Sequence, residues 1–122
     1  MDATILIVDD DPVIRSLIAR VLTRVGYQVQ EAEDGLSALD RIAITRPALV
    51  LTDLMMPRMK GDVLVARVMQ GAKPIPCILM SAYHTNSPVA QVPFLAKPFA
   101  IPDLVQLVAA ALPLPATRTE TP

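Results

Sequence analysis

Five residues of this chain could do chemistry together: the carboxylates Asp9, Asp10 and Asp53, the hydroxyl of Ser81 and the ammonium of Lys97. Three carboxylates gathered in one place repel one another and must either take up protons or bind a cation. For oxygen donors a hard divalent ion is the natural partner. Mg²⁺ keeps several of its waters and accepts one or two carboxylates plus a phosphate oxygen, so such a set suits phosphate chemistry better than a closed metal cage. Taken singly, each residue has a plainer reading. Asp9-Asp10-Asp11-Pro12 can be only a capping turn, Asp53 a turn former ahead of Pro57, Ser81 a strand-end hydroxyl and Lys97 a solvated lysine.

What separates the two readings is the set of elements that would have to position these groups. Short apolar runs bounded by turn residues alternate with segments of helical apolar spacing, the pattern of a parallel α/β sheet. Strands are predicted at Thr4–Val8, Gln28–Ala32 (a weaker, edge strand), Ala48–Thr52, Cys77–Ser81 and Phe94–Ala96. Helices are predicted at Pro12–Val25, Leu36–Thr45, Gly61–Gln70 and Ile101–Leu112. In the first helix Ile14, Leu17, Ile18, Val21 and Val25 form the apolar stripe, Asp11 is the N-cap, Pro12 the first helical residue, and Gly26 closes the helix. In a doubly wound sheet the residues that follow the strands gather at one edge, where ligands bind. Asp9 with Asp10, Asp53, Ser81 and Lys97 fall at or just after the ends of four separate strands, so one fold collects them at one rim.

Length and composition narrow the field. The 122 residues allow one ordinary core, so residues 1–112 are read as one domain. Residues 113–122, with three prolines and three threonines, are expected to be a disordered tail. Eleven basic against twelve acidic side chains give a formal charge of −1, which argues against a nucleic-acid partner. No apolar run approaches the roughly 18 residues a membrane span needs, and with no basic region ahead of an apolar stretch in Met1-Asp2-Ala3-Thr4 neither an export signal nor a membrane anchor is expected. The lone Cys77, in an apolar run, reads as a small buried hydrophobe in a reducing cytoplasm. The six methionines read as packing, not as a soft-metal site, and His84 as an exposed loop residue, not a relay or metal ligand.

Four segments together resemble the receiver domain of two-component response regulators: Ile5-Leu6-Ile7-Val8-Asp9-Asp10-Asp11-Pro12, Leu51-Thr52-Asp53-Leu54-Met55-Met56-Pro57 with Gly61, Leu79-Met80-Ser81-Ala82, and Phe94-Leu95-Ala96-Lys97-Pro98-Phe99. They occur in the family's order and span residues 4 to about 112. The resemblance implies a five-stranded parallel sheet in the flavodoxin-like order 2-1-3-4-5. It implies Asp53 as phospho-acceptor, with Mg²⁺ (or Mn²⁺ in its place) held by Asp10, Asp53 and the backbone carbonyl of Met55, and Asp9 acting through metal-bound water. Ser81 and Lys97 would hold phosphoryl oxygens, Ala82 would leave room for the group to enter, and Phe94 would be the aromatic partner of the Ser81 movement, although plain core packing explains Phe94 as well. The implied partner is a histidine kinase or histidine phosphotransferase. The Lys97-Pro98 bond resembles one that is cis in the family, although only about 5–6% of such bonds are cis in folded proteins.

The chain also departs from that pattern. Only twelve residues, Ala82 to Pro93, separate Ser81 from Phe94. A three-turn helix needs roughly ten before any loop is counted, so the fourth helix is expected to be missing or cut to about one turn. In the family that helix belongs to the surface used for dimerisation and output. On the last helix, Leu107, Leu104, Val108, Ile101, Leu112, Val105 and Ala109 fill an arc of roughly 200°, more than one sheet face requires. One edge of it (Val105, Ala109, Leu112) is therefore expected to be covered by a partner, a second copy or the shortened loop. Met55 and Tyr83 take positions that govern water access to the phosphorylated aspartate in the family. Both are bulky and lack a group to orient water, so slow self-dephosphorylation is expected.

Three functions compete. The first is a signalling switch, not an enzyme in the ordinary sense, that docks to a target, passes its phosphoryl group on or competes for a kinase, since no output domain is read after residue 112. The second is an interaction module that keeps the fold and works without phosphorylation. The third is a small phosphohydrolase with an aspartate nucleophile; the resemblance would need Asp-x-Asp followed two positions on by a hydroxyl residue, and Val13 stands there instead. A flavodoxin is excluded because three aspartates after the first strand would repel a cofactor phosphate.

Overall fold

A computed structural model describes residues 4–114. The elements are β1 (Thr4–Val8), α1 (Pro12–Val25), β2 (Gln28–Ala32), α2 (Gly35–Thr45), β3 (Leu49–Asp53), α3 (Gly61–Met69), β4 (Cys77–Ser81), β5 (Phe94–Ala96) and α4 (Ile101–Ala111). All five strands are parallel and lie in the order β2-β1-β3-β4-β5. Of the three inner strands, β3 and β4 are buried at every position and β1 at all but its first residue, as strands covered on both faces must be, whereas the edge strands β2 and β5 are each buried at a single position.

The sheet divides the core in two. On one face α1 and α4 pack through Ile18, Leu22, Leu104 and Val108 onto Ile5, Ile7, Leu51 and Ile78. On the other, α2 and α3 pack through Ala38, Ile42, Leu64 and Val68 onto Leu6, Val8, Val50 and Leu79. Local signals act as the sequence implies at α1, where the Asp11 carboxylate accepts the Val13 N–H at 2.9 Å and Gly26 takes the positive φ of 123°. Other boundaries move by one residue. β3 starts at Leu49 and ends at Asp53, not Ala48–Thr52, because Asp53 itself pairs with Met80. α2 begins at Gly35 because Asp34 caps it, its carboxylate accepting the Ser37 N–H at 2.8 Å. α3 ends at Met69 and α4 at Ala111, with Gln70 and Leu112 as their C-caps.

Residues 82–93 contain no helix. The segment instead covers the sheet with two valines, Val92 buried and Val89 half-buried, both in the cluster under α2 and α3. The loop therefore does not cover α4, which lies on the opposite face. The width of the α4 apolar arc has another cause: Leu107, Ala111 and Leu112 pack onto the same cluster as the α1 stripe. The Tyr27 hydroxyl also donates to the Leu112 carbonyl at 2.7 Å. Leu112 is thus occupied by its own chain, while Val105 is half-buried and Ala109 exposed. The Lys97-Pro98 bond is cis. Of the tail read as disordered, residues 115–122 lie outside the described residues.

Between β3 and α3 the chain folds back onto itself. The Gly61 N–H donates to the Leu54 carbonyl at 2.8 Å, and a Cβ at Gly61 would stand 2.2 Å from the Asp53 carbonyl oxygen. Only a residue without a side chain allows that approach. Gly61→Ala must push the end of β3 aside, and unfolding stability is expected to fall by about 1–3 kcal/mol, read as a lower urea midpoint at unchanged m-value. An unchanged midpoint would mean that the crowding is relieved at no cost.

Candidate functional site

Register brings the five candidate residues to one rim. Val8 pairs with Thr52, so the next residues, Asp9 and Asp53, stand side by side; Ser81 pairs with Ala96, so Lys97 follows at the same level. β5 is two strands from β3, about 10 Å at ordinary strand spacing, a gap that only a long side chain bridges. Lys97 does so. Its Nζ donates to Asp9 Oδ2 at 2.9 Å and lies 3.2 Å from Asp53 Oδ1.

Asp9 is fully buried and held at three points. Its Oδ1 accepts the Asp11 N–H at 2.9 Å, its Oδ2 the Lys97 ammonium, and its carbonyl the Arg15 Nη1 at 2.6 Å. Arg15, whose Nε also pairs with Glu31 at 3.0 Å, thereby ties α1 and β2 to the end of β1. Asp10 is exposed beside it. Oxygens of Asp9, Asp10 and Asp53 lie within 4.8 Å of one another. They open onto a cleft of about 400 Å³ lined also by Asp11, Ile14, Met55, Ala82 and Tyr83, in which Lys97 is the one cation.

Electrostatics follow from this crowding. Burial pushes the Asp53 carboxyl up to about 6; the Lys97 ammonium opposes the rise and the Asp9 charge adds to it. Burial works against the Lys97 charge, but the hydrogen bonds and charges of Asp9 and Asp53 more than offset it and raise its pKa. Hard oxygen donors in excess over positive charge are what Mg²⁺ or Mn²⁺ accepts, so the donor set fits such an ion, with Asp9, Asp10 and Asp53 able to face it.

The remaining candidates sit differently. Met55 and Tyr83 are both exposed at the cleft. Phe94 is half-buried against the α2–α3 cluster. Ser81 is fully buried at the end of β4 and does not line the cleft; its Oγ accepts the Tyr83 N–H at 3.0 Å and meets His84 Nδ1 at 3.0 Å. His84 is therefore not a bystander: it is half-buried and bonded to a candidate site residue.

Sequence reasoning missed three contributors. Arg15 gave no signal, because a helix residue that reaches back to a strand-end carbonyl looks like any solvated arginine. Asp34 did give one, an N-cap residue ahead of an apolar helix. Its carboxylate accepts from both the Ser37 N–H and Arg58, which lower its pKa. Arg58 sits at φ 69°, and this pair ties the loop after Asp53 to the start of α2.

Known proteins share this fold. Residues 5–109 match the model of the response regulator receiver domain. The chain is 38% identical over 118 residues to the response regulator MprA of Mycobacterium tuberculosis, covering 92% of this chain and 51% of that protein. The chain thus spans about half the length of the curated relatives it matches. Among solved structures, the chemotaxis protein CheY4 of Vibrio cholerae superposes with a TM-score of 0.81 at 30% identity, over 92% of this chain and all (100%) of that one. The receiver domain of the hybrid histidine kinase CckA does so with a TM-score of 0.75 at 32% identity, over 89% and 98%. Strand order, the acidic rim and the family match lead to one assignment: the chain belongs to the response regulator receiver domains of two-component signalling.

Proposed function

We propose that the chain is a phosphorylation-dependent switch in which Asp53 accepts a phosphoryl group from a histidine kinase or histidine phosphotransferase. The observation that carries this is the packing of three carboxylates within 4.8 Å of one another beside a single lysine that touches two of them. Mg²⁺, or Mn²⁺, would be held by Asp10, Asp53 and the Met55 carbonyl, with Asp9 acting through water, and would supply positive charge for the phosphoryl oxygens. The protein's own part is positioning and charge neutralisation, which phosphoryl transfer chiefly needs. An Asp53 carboxylate oxygen attacks phosphorus as the bond to the donor imidazole breaks. Lys97, already beside Asp53, neutralises an equatorial oxygen, and Ala82 leaves the entry open. Ser81 turns toward the new group, with Phe94 as its aromatic neighbour on β5.

Output belongs to the same proposal. The group is passed onward, or the phosphorylated form docks to a partner. Val105 and Ala109 on α4 offer apolar surface to such a partner or to a second copy. A reducing cytoplasm suits Cys77, which is buried and whose thiol burial pushes up to about 12, leaving it unreactive. Among the described residues no helix is long and apolar enough to cross a membrane.

Incubation with acetyl phosphate and Mg²⁺ is expected to add the mass of one phosphoryl group, and Asp53→Ala to abolish the gain. A gain that survives in Asp53→Ala would overturn the assignment of the acceptor. With Met55 and Tyr83 at the cleft, neither of which carries a carboxylate or amide to orient an attacking water, the phosphorylated domain is expected to lose its group slowly; a lifetime of seconds in the isolated domain would contradict this.

The raised Asp53 pKa makes a further prediction without divalent ions. The folded state holds its proton up to about 6 and the unfolded state only to 3.8, so the folded state binds more protons between these values. Stability therefore falls as pH rises through that window, by up to about 3 kcal/mol at 1.36 kcal/mol per pH unit. Asp53→Asn is expected to remove this loss, and Mg²⁺ at pH 7 to raise the melting temperature of the wild type but much less that of the variant. Equal Mg²⁺ shifts in both would count against Asp53 as a ligand.

A further inference from the structure

The Ser81 hydroxyl, which the proposed switch turns toward the phosphoryl group, is already engaged elsewhere. Its oxygen accepts the Tyr83 N–H and meets His84 Nδ1, each at 3.0 Å, and the side chain is fully buried. A hydroxyl has one proton and two lone pairs. With one lone pair taken by Tyr83, the proton is free to go to Nδ1, so both bonds fix the oxygen on the loop side of the strand end. Ala82 and Tyr83 line the Asp53 cleft while Ser81 does not. Turning about its Cα–Cβ bond breaks both contacts at once, and a buried hydroxyl cannot turn to water instead. Only an acceptor in the cleft can replace the partners it leaves.

We propose that His84 is a positioning residue that holds the Ser81 hydroxyl away from the Asp53 cleft, so that phosphorylation releases the Tyr83–His84 segment. The inference rests on the switch function proposed above and names how its signal leaves the site. Tyr83 and His84 begin the shortened segment, which is anchored at its far end by Val89 and Val92 in the core. Release at Ser81 therefore acts on a short tethered loop whose exposed Tyr83 ring stands at the mouth of the cleft. This route does not require a fourth helix.

The test is the affinity of the full chain for beryllium fluoride in the presence of Mg²⁺, measured by calorimetry, for the wild type, His84→Ala and His84→Asn, each also in a Ser81→Ala background. Loss of one ordinary hydrogen bond from the unliganded state corresponds to about a fivefold change in affinity. His84→Ala is expected to bind about fivefold more tightly. His84→Asn, whose amide oxygen can stand near the Nδ1 position, is expected to bind within about twofold of wild type. With Ser81→Ala present, the two changes at position 84 are expected to have equal affinity, because the group they act through is gone. Unchanged or weaker binding by His84→Ala, or a gain that persists without the serine hydroxyl, overturns the inference while phosphorylation of Asp53 stands. Failure of acetyl phosphate to label Asp53 in the wild type would instead remove the switch itself, and this inference with it.

Discussion

Three carboxylates share one rim with one ammonium, and much of the structure near them serves to make that tolerable. At about 5 Å and an effective dielectric of about 20, each pair of like charges costs about 3 kcal/mol, comparable to a large part of a small domain's net stability. The sheet register leaves no escape, since Asp9 and Asp53 follow paired residues on adjacent strands. Lys97 answers part of the charge by reaching across β4 to both carboxylates. Burial, with the charges of Asp9 and Asp10 adding to it, raises the Asp53 pKa, and a divalent cation is the kind of group that relieves such a site. Functional sites commonly break the rules that make a fold stable, and this rim is where the present chain does so.

The supporting contacts show how firmly that strain is held. Arg15 and the Asp11 N–H fix Asp9 from the α1 side, and Gly61 presses the backbone of α3 against the Asp53 carbonyl. The Arg58–Asp34 pair closes the loop after Asp53 onto α2. Asp53 can shift little without disturbing two helices. A reaction that depends on positioning needs this rigidity more than it needs any added reactive group.

Beyond Ser81 a loop stands between β4 and β5. With twelve residues between β4 and β5, the segment covers the sheet with two valines and leaves its first residues bonded to the strand-end hydroxyl. The α4 helix turns its broad apolar arc toward α1 and the Tyr27 anchor as well as the sheet. The face that a fourth helix would complete is thus rebuilt from a loop.

Much of the fold was legible in the sequence because the parallel sheet is written in local patterns: apolar runs of strand length, helical stripes, and caps such as Asp11 and Gly26. The positions of Asp9, Asp10, Asp53, Ser81 and Lys97 at strand ends could also be read, since a doubly wound topology sends every strand's end to one rim. The absent helix was a matter of counting residues. By contrast, the bonds of Arg15, Arg58 and His84 join residues whose partners lie on other elements or on a turn of unpredictable course. Such pairings depend on side-chain direction and on the backbone path of loops, which no periodicity records. Sequence alone determined which elements form and which groups meet at the rim, because hydrogen-bonding period and topology are local and few. Tertiary structure alone decided which way Ser81 faces and what holds it there, because a hydroxyl's choice among partners is settled only when they are within 3 Å or so.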